Sequence, residues 1–185
     1  YLRYLTVKSF KRLNPDWKII LWRSKVPARK LDTWKQNVQN YKVNCKNFMN
    51  ELLKMVIVQE VDFKNYGVSN DMSEVHKSDL LRYFLLTDIG GVWSDMDILY
   101  FRPITCLKVN KPENKSVESY VSICWYGHSS GFYLATKGSK YFQRMASVAK
   151  NGYVAADYLS LGPQLVNDHY PTLKLIQKEF SVMDF

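Results

Sequence analysis

Cysteine is scarce in this chain of 185 residues. Only Cys45, Cys106 and Cys124 are present, and no two of them have the Cys-x-x-Cys spacing. A small, odd number of widely spaced cysteines argues against a disulfide-stabilised scaffold and against a zinc knuckle. We therefore expect free, buried thiols and a reducing compartment such as the cytoplasm.

Long apolar runs, internal repeats and low-complexity segments are also lacking. No run approaches the roughly 18 apolar residues that span a bilayer, so we expect at most a peripheral association with membranes. Hydrophobic residues nevertheless make up 46% of the chain and aromatic residues 15%, which is enough for a substantial core. Length and composition predict a single domain over residues 1–185, either alone or as one domain of a longer polypeptide.

Acidic residues are scarce in the first third of the chain. Residues 1–54 carry 13 Lys and Arg against 3 acids, a net charge of +10, whereas the remaining residues have a net charge of −1. A basic segment of this kind suits nucleic acid, an anionic lipid surface or a phosphorylated substrate. Composition alone leaves these three partners open.

Periodicity and turn residues predict alternating helices and strands. Helices are expected at residues 1–12, 30–41, 47–54, 74–88 and 139–150 and in short pieces from residue 162 onward, and strands at 17–22, 55–63, 92–101, 120–126 and 132–135. Gly90-Gly91 ends the helix at 74–88, and residues 108–119 read as a loop. This order of elements predicts an α/β layered domain.

Two aspartates, Asp95 and Asp97, lie on the predicted strand that follows Gly90-Gly91. Residues two apart in a strand point to the same face, roughly 6–7 Å apart, so the two carboxylates could converge on one hard divalent cation. The alternative is a solvated strand end. On the preceding helix, Asp79 and Arg82 share a face at i,i+3, where they could serve a ligand or form an ordinary surface ion pair.

Residues Ser78 to Asp97 follow the pattern S-D-x-x-R-Y-x-x-L-x-x-x-G-G-x-W-x-D-x-D. This pattern resembles the signature of the DXD-containing sugar transferases of glycosyltransferase family 32. The family includes yeast-type initiating mannosyltransferases and bacterial capsule enzymes, and it is related to the large clostridial glucosylating toxins. The turn from Asn14 to Trp17 and the late pair Gly162-Pro163 add to the resemblance.

The resemblance implies a GT-A fold, with a mixed central sheet flanked by helices, that uses a nucleoside-diphosphate sugar and Mn²⁺ or Mg²⁺. It implies that Asp97 ligates the metal and that Asp95 contacts the ribose, the sugar, or the metal through water. Asp79 and Arg82 would hold the hydroxyls of the donor sugar, with Arg82 near the leaving diphosphate. The catalytic set is then Asp79, Arg82, Asp95 and Asp97, and the donor-binding set is Ser78, Asp79, Arg82, Tyr83, Gly91 and Asp95.

Members of this family usually open with a strand that helps to bind the nucleotide base, so we expect either that this strand precedes Tyr1 or that the base is recognised differently. They also take a third metal ligand from the C-terminal part, for which the candidates are His128, Asp157, Asn167 and His169. Acceptor contacts are expected at Trp125, Tyr126, Ser129 and Ser130. A plain hairpin turn at residues 127–131 is the equal alternative for the two serines.

The sequence therefore predicts a metal-dependent, retaining glycosyltransferase. It would move a hexose from a UDP- or GDP-sugar to a glycan, glycoprotein or glycolipid acceptor. Residues 1–54 would dock an acidic acceptor, a membrane or a partner domain, and no nucleic acid is expected. The alternative is a nucleic-acid or anionic-surface binding module, for which no recognised motif is present. A glycoside hydrolase fits less well, because its two acids flank the scissile bond from opposite sides.

Overall fold

The computed structural model describes residues 1–27, 46–106, 119–124, 127–155, 157 and 159–169. In chain order, its helices and strands are α1 (Leu2–Leu13), β1 (Ile20–Ser24), α2 (Met49–Leu53), β2 (Ile57–Val61), α3 (Glu74–Asp88), β3 (Gly91–Ser94), β4 (Ser119–Cys124), β5 (Gly127–Ala135), α4 (Lys140–Asn151) and α5 (Pro163–Asp168). Single 3₁₀ turns occur at Phe63–Tyr66 and Ile104–Cys106. None of the helices in this part of the chain combines the length and apolar character needed to cross a membrane.

The chain divides into two compact units. The first unit contains Tyr1–Glu74 and Met96–Cys106, and the second contains Val75–Asp95 and Leu107–Phe185. The division passes between Asp95 and Met96, so the two aspartates of the DXD motif belong to different units.

In the first unit, α1 buries Val7 and Phe10, which lie one turn apart on the same face. The ring of Phe10 meets that of Tyr100 edge-on at 5.0 Å. Burying side chains of this size contributes about 1.5–3 kcal/mol each. Strands β1 and β2 pair in parallel, with Ile20 opposite Ile57 and Ser24 opposite Val61.

Asn14 ends α1 and also fixes a later part of the chain. Its side-chain amide donates to the carbonyl of Phe10 at 3.1 Å, and its Oδ1 accepts from the backbone N–H of Ile104 at 2.9 Å. Asn14 is buried, so both polar ends of its amide need partners and both have them. The predicted helix stop is thus also a bridge within the first unit.

In the second unit, β5 lies between β3 and β4, and both pairings are antiparallel. The core beside this sheet is aromatic: Tyr133 of β5 and Phe142 of α4 meet at 5.4 Å, and Tyr83 of α3 lies 6.4 Å from Phe142. All three rings are fully buried. The α/β class predicted from the sequence is confirmed, with parallel pairing in one ladder and antiparallel pairing in the other.

Helices were predicted better than strand ends. The helices expected at 1–12, 74–88 and 139–150 match α1, α3 and α4 within a residue or two, and the strand expected at 17–22 begins at Ile20 and ends at Ser24. The buried strand expected at 55–63 is β2, but Ile57 and Val58 are 48% and 41% exposed. The helix expected at 30–41, the loop at 108–119 and the tail beyond residue 169 lie outside the described residues.

Two strand predictions were wrong. The strand expected at 92–101 ends at Ser94, because the sequence turns at Asp95-Met96-Asp97 and aspartate is disfavoured in strands. The loop or hairpin turn expected at 127–131 is instead the first half of β5. Glycines and serines there gave the pattern of a turn, but pairing with β4 and β3 holds them extended.

Gly90 is the residue that allows α3 to turn directly into β3. Its φ is +73°, in the left-handed region, and its N–H donates back to the carbonyl of Leu85 at 3.1 Å. A Cβ on Gly90 would overlap the backbone nitrogen of Lys137 and lie 2.8 Å from the carbonyl carbon of Thr136. Both conformation and space therefore require glycine.

We expect Gly90→Ala to destabilise the protein by more than about 2 kcal/mol, from left-handed strain of about 1–2 kcal/mol plus the backbone overlap. Gly138→Ala is the matched control, because Gly138 has φ +77° but a Cβ there meets nothing within 4 Å. Gly138→Ala should lose only the part of the free energy of unfolding that comes from left-handed strain. Urea unfolding of both variants measures the difference, and equal losses would show that the overlap at Gly90 is relieved.

Candidate functional site

The candidate site is built on α3 in the second unit. Asp79 and Arg82 lie three residues apart, so their side chains leave the helix on one face. Both residues are buried, at 4% and 3% exposure. Nitrogen Nη2 of Arg82 lies 2.5 Å from Oδ1 of Asp79. The alternative of an ordinary surface ion pair is therefore wrong.

Arg82 connects α3 to the ends of two strands. Its Nη2 lies 3.6 Å from Oδ1 of Asp95, which follows β3, and its Nη1 donates to the carbonyl of Ser130 in β5. The guanidinium also lies over the ring of Trp93, 5.1 Å from the centroid, where the π face favours a cation. One buried cation thus contacts two carboxylates, an indole ring and a strand carbonyl. We call these residues the Arg82 cluster (Asp79, Arg82, Trp93, Asp95 and Ser130).

Asp95 is held by contacts of both its backbone and its side chain. Its backbone N–H donates to the carbonyl of Gly131 at 2.7 Å, and its Oδ1 accepts from the indole N–H of Trp93 at 2.9 Å as well as lying near Arg82. The side chain is 35% exposed. Within the described part of the chain, these side-chain contacts all fall on Oδ1, which leaves Oδ2 for a ligand.

Burial and charge act against each other in this cluster. Burial alone would lower the pKa of the Arg82 guanidinium, but the carboxylates of Asp95 and Asp79 outweigh it and raise that pKa above its ordinary value. Burial raises the pKa of the Asp79 carboxyl, against the opposing charge of Arg82. With both acids ionised, two carboxylates face one guanidinium, so the cluster carries a formal charge of −1.

The other residues of the predicted donor set have different surroundings. Tyr83 is fully buried, and its hydroxyl donates to the carbonyl of Leu161 at 2.8 Å. Burial raises the pKa of this hydroxyl, so it stays neutral. Ser78 is half-buried, and its carbonyl accepts from Nε of Arg82 at 3.4 Å. Gly91 opens β3 with φ +97°, and a Cβ there would meet nothing within 4 Å.

The two aspartates of the DXD motif do not share a strand face, which corrects the geometry expected for them. Asp95 comes directly after β3, and Asp97 is exposed in the turn that follows. Two carboxylates two residues apart, both reachable from solvent, still offer the oxygen ligands that a hard divalent cation prefers. By the chemistry of their side chains, Asp95 and Asp97 therefore each suit such a cation.

The third metal ligand stays a prediction, with His128, Asp157, Asn167 and His169 as its candidates. Oδ1 of Asp157 accepts from the N–H of Leu159 at 2.9 Å, and His169 follows the last turn of α5. Over the residues that the structure describes, no group of three or more His, Cys, Asp or Glu side chains could hold an ion. The side chain of His128 lies outside that description.

The predicted acceptor residues are described only in part. Trp125 and Tyr126 lie outside the described residues, as does the side chain of Ser129. Ser130 lies in β5 rather than in a loop, and its carbonyl binds Arg82. The structure thus brings together Asp79, Arg82, Asp95 and Ser130.

Sequence reasoning missed two members of the site. Trp93 has a place in the pattern from Ser78 to Asp97 but no role in the predicted site, whereas its indole N–H donates to Oδ1 of Asp95. Gly162 was noted only for its position before Pro163, yet a Cβ on it would lie 3.4 Å from both Oδ2 of Asp79 and Oγ of Ser130. The only available signal was the spacing of Trp93 two residues before Asp95, which allows a side-chain contact.

Known proteins share this sequence and architecture. The family described as "Glycosyltransferase sugar-binding region containing DXD motif" matches residues 3–117, which is more than half of the chain. "Subversion of eukaryotic traffic protein A" of Legionella pneumophila is 25% identical over 156 residues, covering 82% of this chain and 23% of that protein. The chain thus spans about a quarter of the length of this curated relative.

Among solved structures, "PaToxG Glycosyltransferase" is similar to this chain with a TM-score of 0.59 and 18% sequence identity. The similarity covers 92% of this chain and 63% of that one. At this level of identity the likeness concerns the fold, and it confirms the predicted α/β class of the GT-A type.

Arg82→Lys should destabilise the protein by about 3 kcal/mol, because one ammonium cannot replace the guanidinium towards Asp79, Asp95 and the carbonyl of Ser130 together. Arg23→Lys is the control. The pair of Arg23 with Glu60 is 67% and 49% exposed, so that change should stay within about 0.5 kcal/mol. Chemical denaturation compares them, and a similar small loss in both variants would contradict the central place given to Arg82.

Proposed function

The chain belongs to the family of glycosyltransferase sugar-binding regions containing a DXD motif, and on this premise we propose that it transfers a hexose from a nucleoside-diphosphate sugar to an acceptor hydroxyl. The donor would be a UDP- or GDP-sugar, and the acceptor a glycan, glycoprotein or glycolipid. We further propose that the reaction retains the anomeric configuration and depends on Mn²⁺ or Mg²⁺.

The prediction of a glycosyltransferase with a DXD motif is confirmed at the level of the family. The family assignment does not favour the alternative prediction, a nucleic-acid or anionic-surface binding module. Membership of glycosyltransferase family 32, a role in polysaccharide biosynthesis, and docking of an acceptor, membrane or partner domain through residues 1–54 stay proposals. So does the reading of residues 1–185 as one catalytic domain.

The observation that carries the proposal is the Arg82 cluster. Arg82 is 3% exposed and its Nη atoms are directed at Asp79, Asp95 and Ser130. Its main task is therefore to fix two carboxylates in place through their Oδ1 atoms, and we propose that Oδ2 of Asp79 and Oδ2 of Asp95 accept hydrogen bonds from hydroxyls of the donor. Groups held in this way need little rearrangement when the donor binds, which favours catalysis.

The negative charge of the cluster makes a cation necessary beside a diphosphate. Cleavage of the sugar–phosphate bond builds negative charge on the leaving diphosphate, and two carboxylates facing one guanidinium would repel it. A divalent cation supplies the balancing positive charge when bound. Asp97 is the residue we propose to ligate it, because its carboxylate is exposed and follows Asp95 by two residues. Asp95 would support it through the ribose, the sugar or a water molecule.

Donor binding tests the proposal directly. With Mn²⁺, a matching nucleotide sugar at one hundred times its Kd should stabilise the protein by about 2.7 kcal/mol, and removal of the metal with EDTA should abolish the shift. Asp97→Asn should lose both this shift and transfer activity while keeping the unfolding transition of the unliganded protein. A thermal-shift screen of UDP-, GDP- and other nucleotide sugars measures the stabilisation.

Asp88→Asn is the matched control, because Asp88 is exposed at the end of α3 and lies outside the Arg82 cluster. This variant should bind the donor as the wild type does. Full transfer activity of Asp97→Asn in the presence of EDTA would refute the metal-dependent mechanism. Absence of any shift with every nucleotide sugar would refute the proposed function as a whole.

A further inference from the structure

Three residues on α3 form a line across two helical turns. His76, Asp79 and Tyr83 are at i, i+3 and i+7, positions that fall on one face of a helix. All three are buried. Asp79 belongs to the Arg82 cluster, so His76 and Tyr83 flank it by about one turn on either side.

His76 and Tyr83 both bind the same later part of the chain. Nε2 of His76 lies 2.9 Å from the carbonyl oxygen of Asp157, and the hydroxyl of Tyr83 donates to the carbonyl of Leu161 at 2.8 Å. A carbonyl oxygen only accepts, so Nε2 of His76 carries the proton. We call residues 153–155, 157 and 159–162 the anchored segment.

The anchored segment is also bonded to itself. Oγ of Ser160 accepts from the N–H of Val154 at 3.3 Å and donates to the carbonyl of Val154 at 3.2 Å. The N–H of Gly162 donates to the carbonyl of Leu159 at 3.0 Å. The carbonyl of Asp157 that His76 holds also accepts from the N–H of Ser160 at 3.2 Å, so these bonds link it to the position of Gly162.

Gly162 is the end of the anchored segment that reaches the site. A Cβ on Gly162 would lie 3.4 Å from Oδ2 of Asp79 and 3.4 Å from Oγ of Ser130. The backbone at Gly162 therefore borders Oδ2 of Asp79, whereas the ion pair with Arg82 is made through Oδ1. A displacement of the segment would change the space beside that oxygen.

We propose that His76 is a positioning residue: its N–H fixes the anchored segment so that Gly162 bounds the space beside Oδ2 of Asp79 where the donor sugar lies. This inference rests on the proposed function. His76 contacts the segment through Nε2, and it also lies close enough to Asp79 for its charge to act on that carboxyl, so both routes lead to the residue proposed to hold the sugar. Its effect should therefore fall on recognition of the sugar and leave recognition of the nucleoside diphosphate unchanged.

Two substitutions separate the hydrogen bond from the packing of the ring. His76→Gln keeps an N–H donor near the place of Nε2, whereas His76→Met has a similar length and no donor. For the donor sugar that stabilises the wild type, we expect His76→Met to raise KM about tenfold with kcat nearly unchanged. His76→Gln should stay within about twofold, and both variants should bind UDP or GDP with Mn²⁺ as the wild type does.

Ser160→Ala provides a second route to the same result. It removes the bonds between Ser160 and Val154 and leaves His76 in place, so it should raise KM for the donor sugar in the same direction. It also keeps the test decisive if His76→Met does not fold. An unchanged KM in Ser160→Ala and in any folded His76→Met protein would overturn the proposal, and so would equal losses in His76→Met and His76→Gln.

Hydrogen exchange tests the positioning role of His76 separately from the proposed function, because the measurement needs no nucleotide sugar. The amide proton of Gly162 should exchange about tenfold faster in His76→Met than in the wild type, with His76→Gln unchanged. Equal exchange in all three proteins would overturn the positioning role even if the donor binds. Faster exchange in His76→Met, with no nucleotide sugar bound by the wild type, would support the tether and refute the proposed function.

Discussion

The structure of the second unit depends on how the buried guanidinium of Arg82 is compensated. Transfer of an isolated charge out of water is very costly, and Arg82 is stable inside the protein only because carboxylates and a carbonyl surround it. Its partners come from α3, from the residue after β3 and from the middle of β5. The helix, the turn at Gly90 and the register of β5 must therefore all be correct at once for the charge to be compensated.

This requirement links stability to function. Compensation of Arg82 holds Asp79 and Asp95 against one cation, in both cases through Oδ1. Burial raises the pKa of the Asp79 carboxyl, and the nearby charge of Asp95 raises it further. With both acids ionised, two acids and one base leave an excess of negative charge, which favours the approach of hydroxyl donors and cations. The same geometry that allows Arg82 to be buried thus suits the donor that we propose, a nucleotide sugar bound with a divalent cation.

The sequence predicts the local part of this arrangement. Helical spacing places Asp79 and Arg82 on one face, and Gly90-Gly91 correctly ends α3. The i,i+3 spacing of these two charged residues does not show whether they are buried, so an exposed ion pair was equally consistent with the sequence. Strand ends were predicted poorly because tertiary register decides that residues 127–131 pair with a neighbouring strand and that residues 95–101 do not continue β3, and local propensity does not contain this register.

The contacts made by α3 explain why its site partners were not foreseen. His76, Arg82 and Tyr83 all donate to backbone carbonyls, those of Asp157, Ser130 and Leu161. Every residue has a backbone carbonyl, so this kind of acceptor does not require a particular side chain at its position. The sequence therefore does not show which residue supplies it. Only the donors can be read from the chain. Gly162 is a partial exception, since a side chain at that position would enter the space beside Asp79. The sequence of α3 therefore identifies the hydrogen-bond donors of this site, whereas the carbonyl acceptors are determined by the fold.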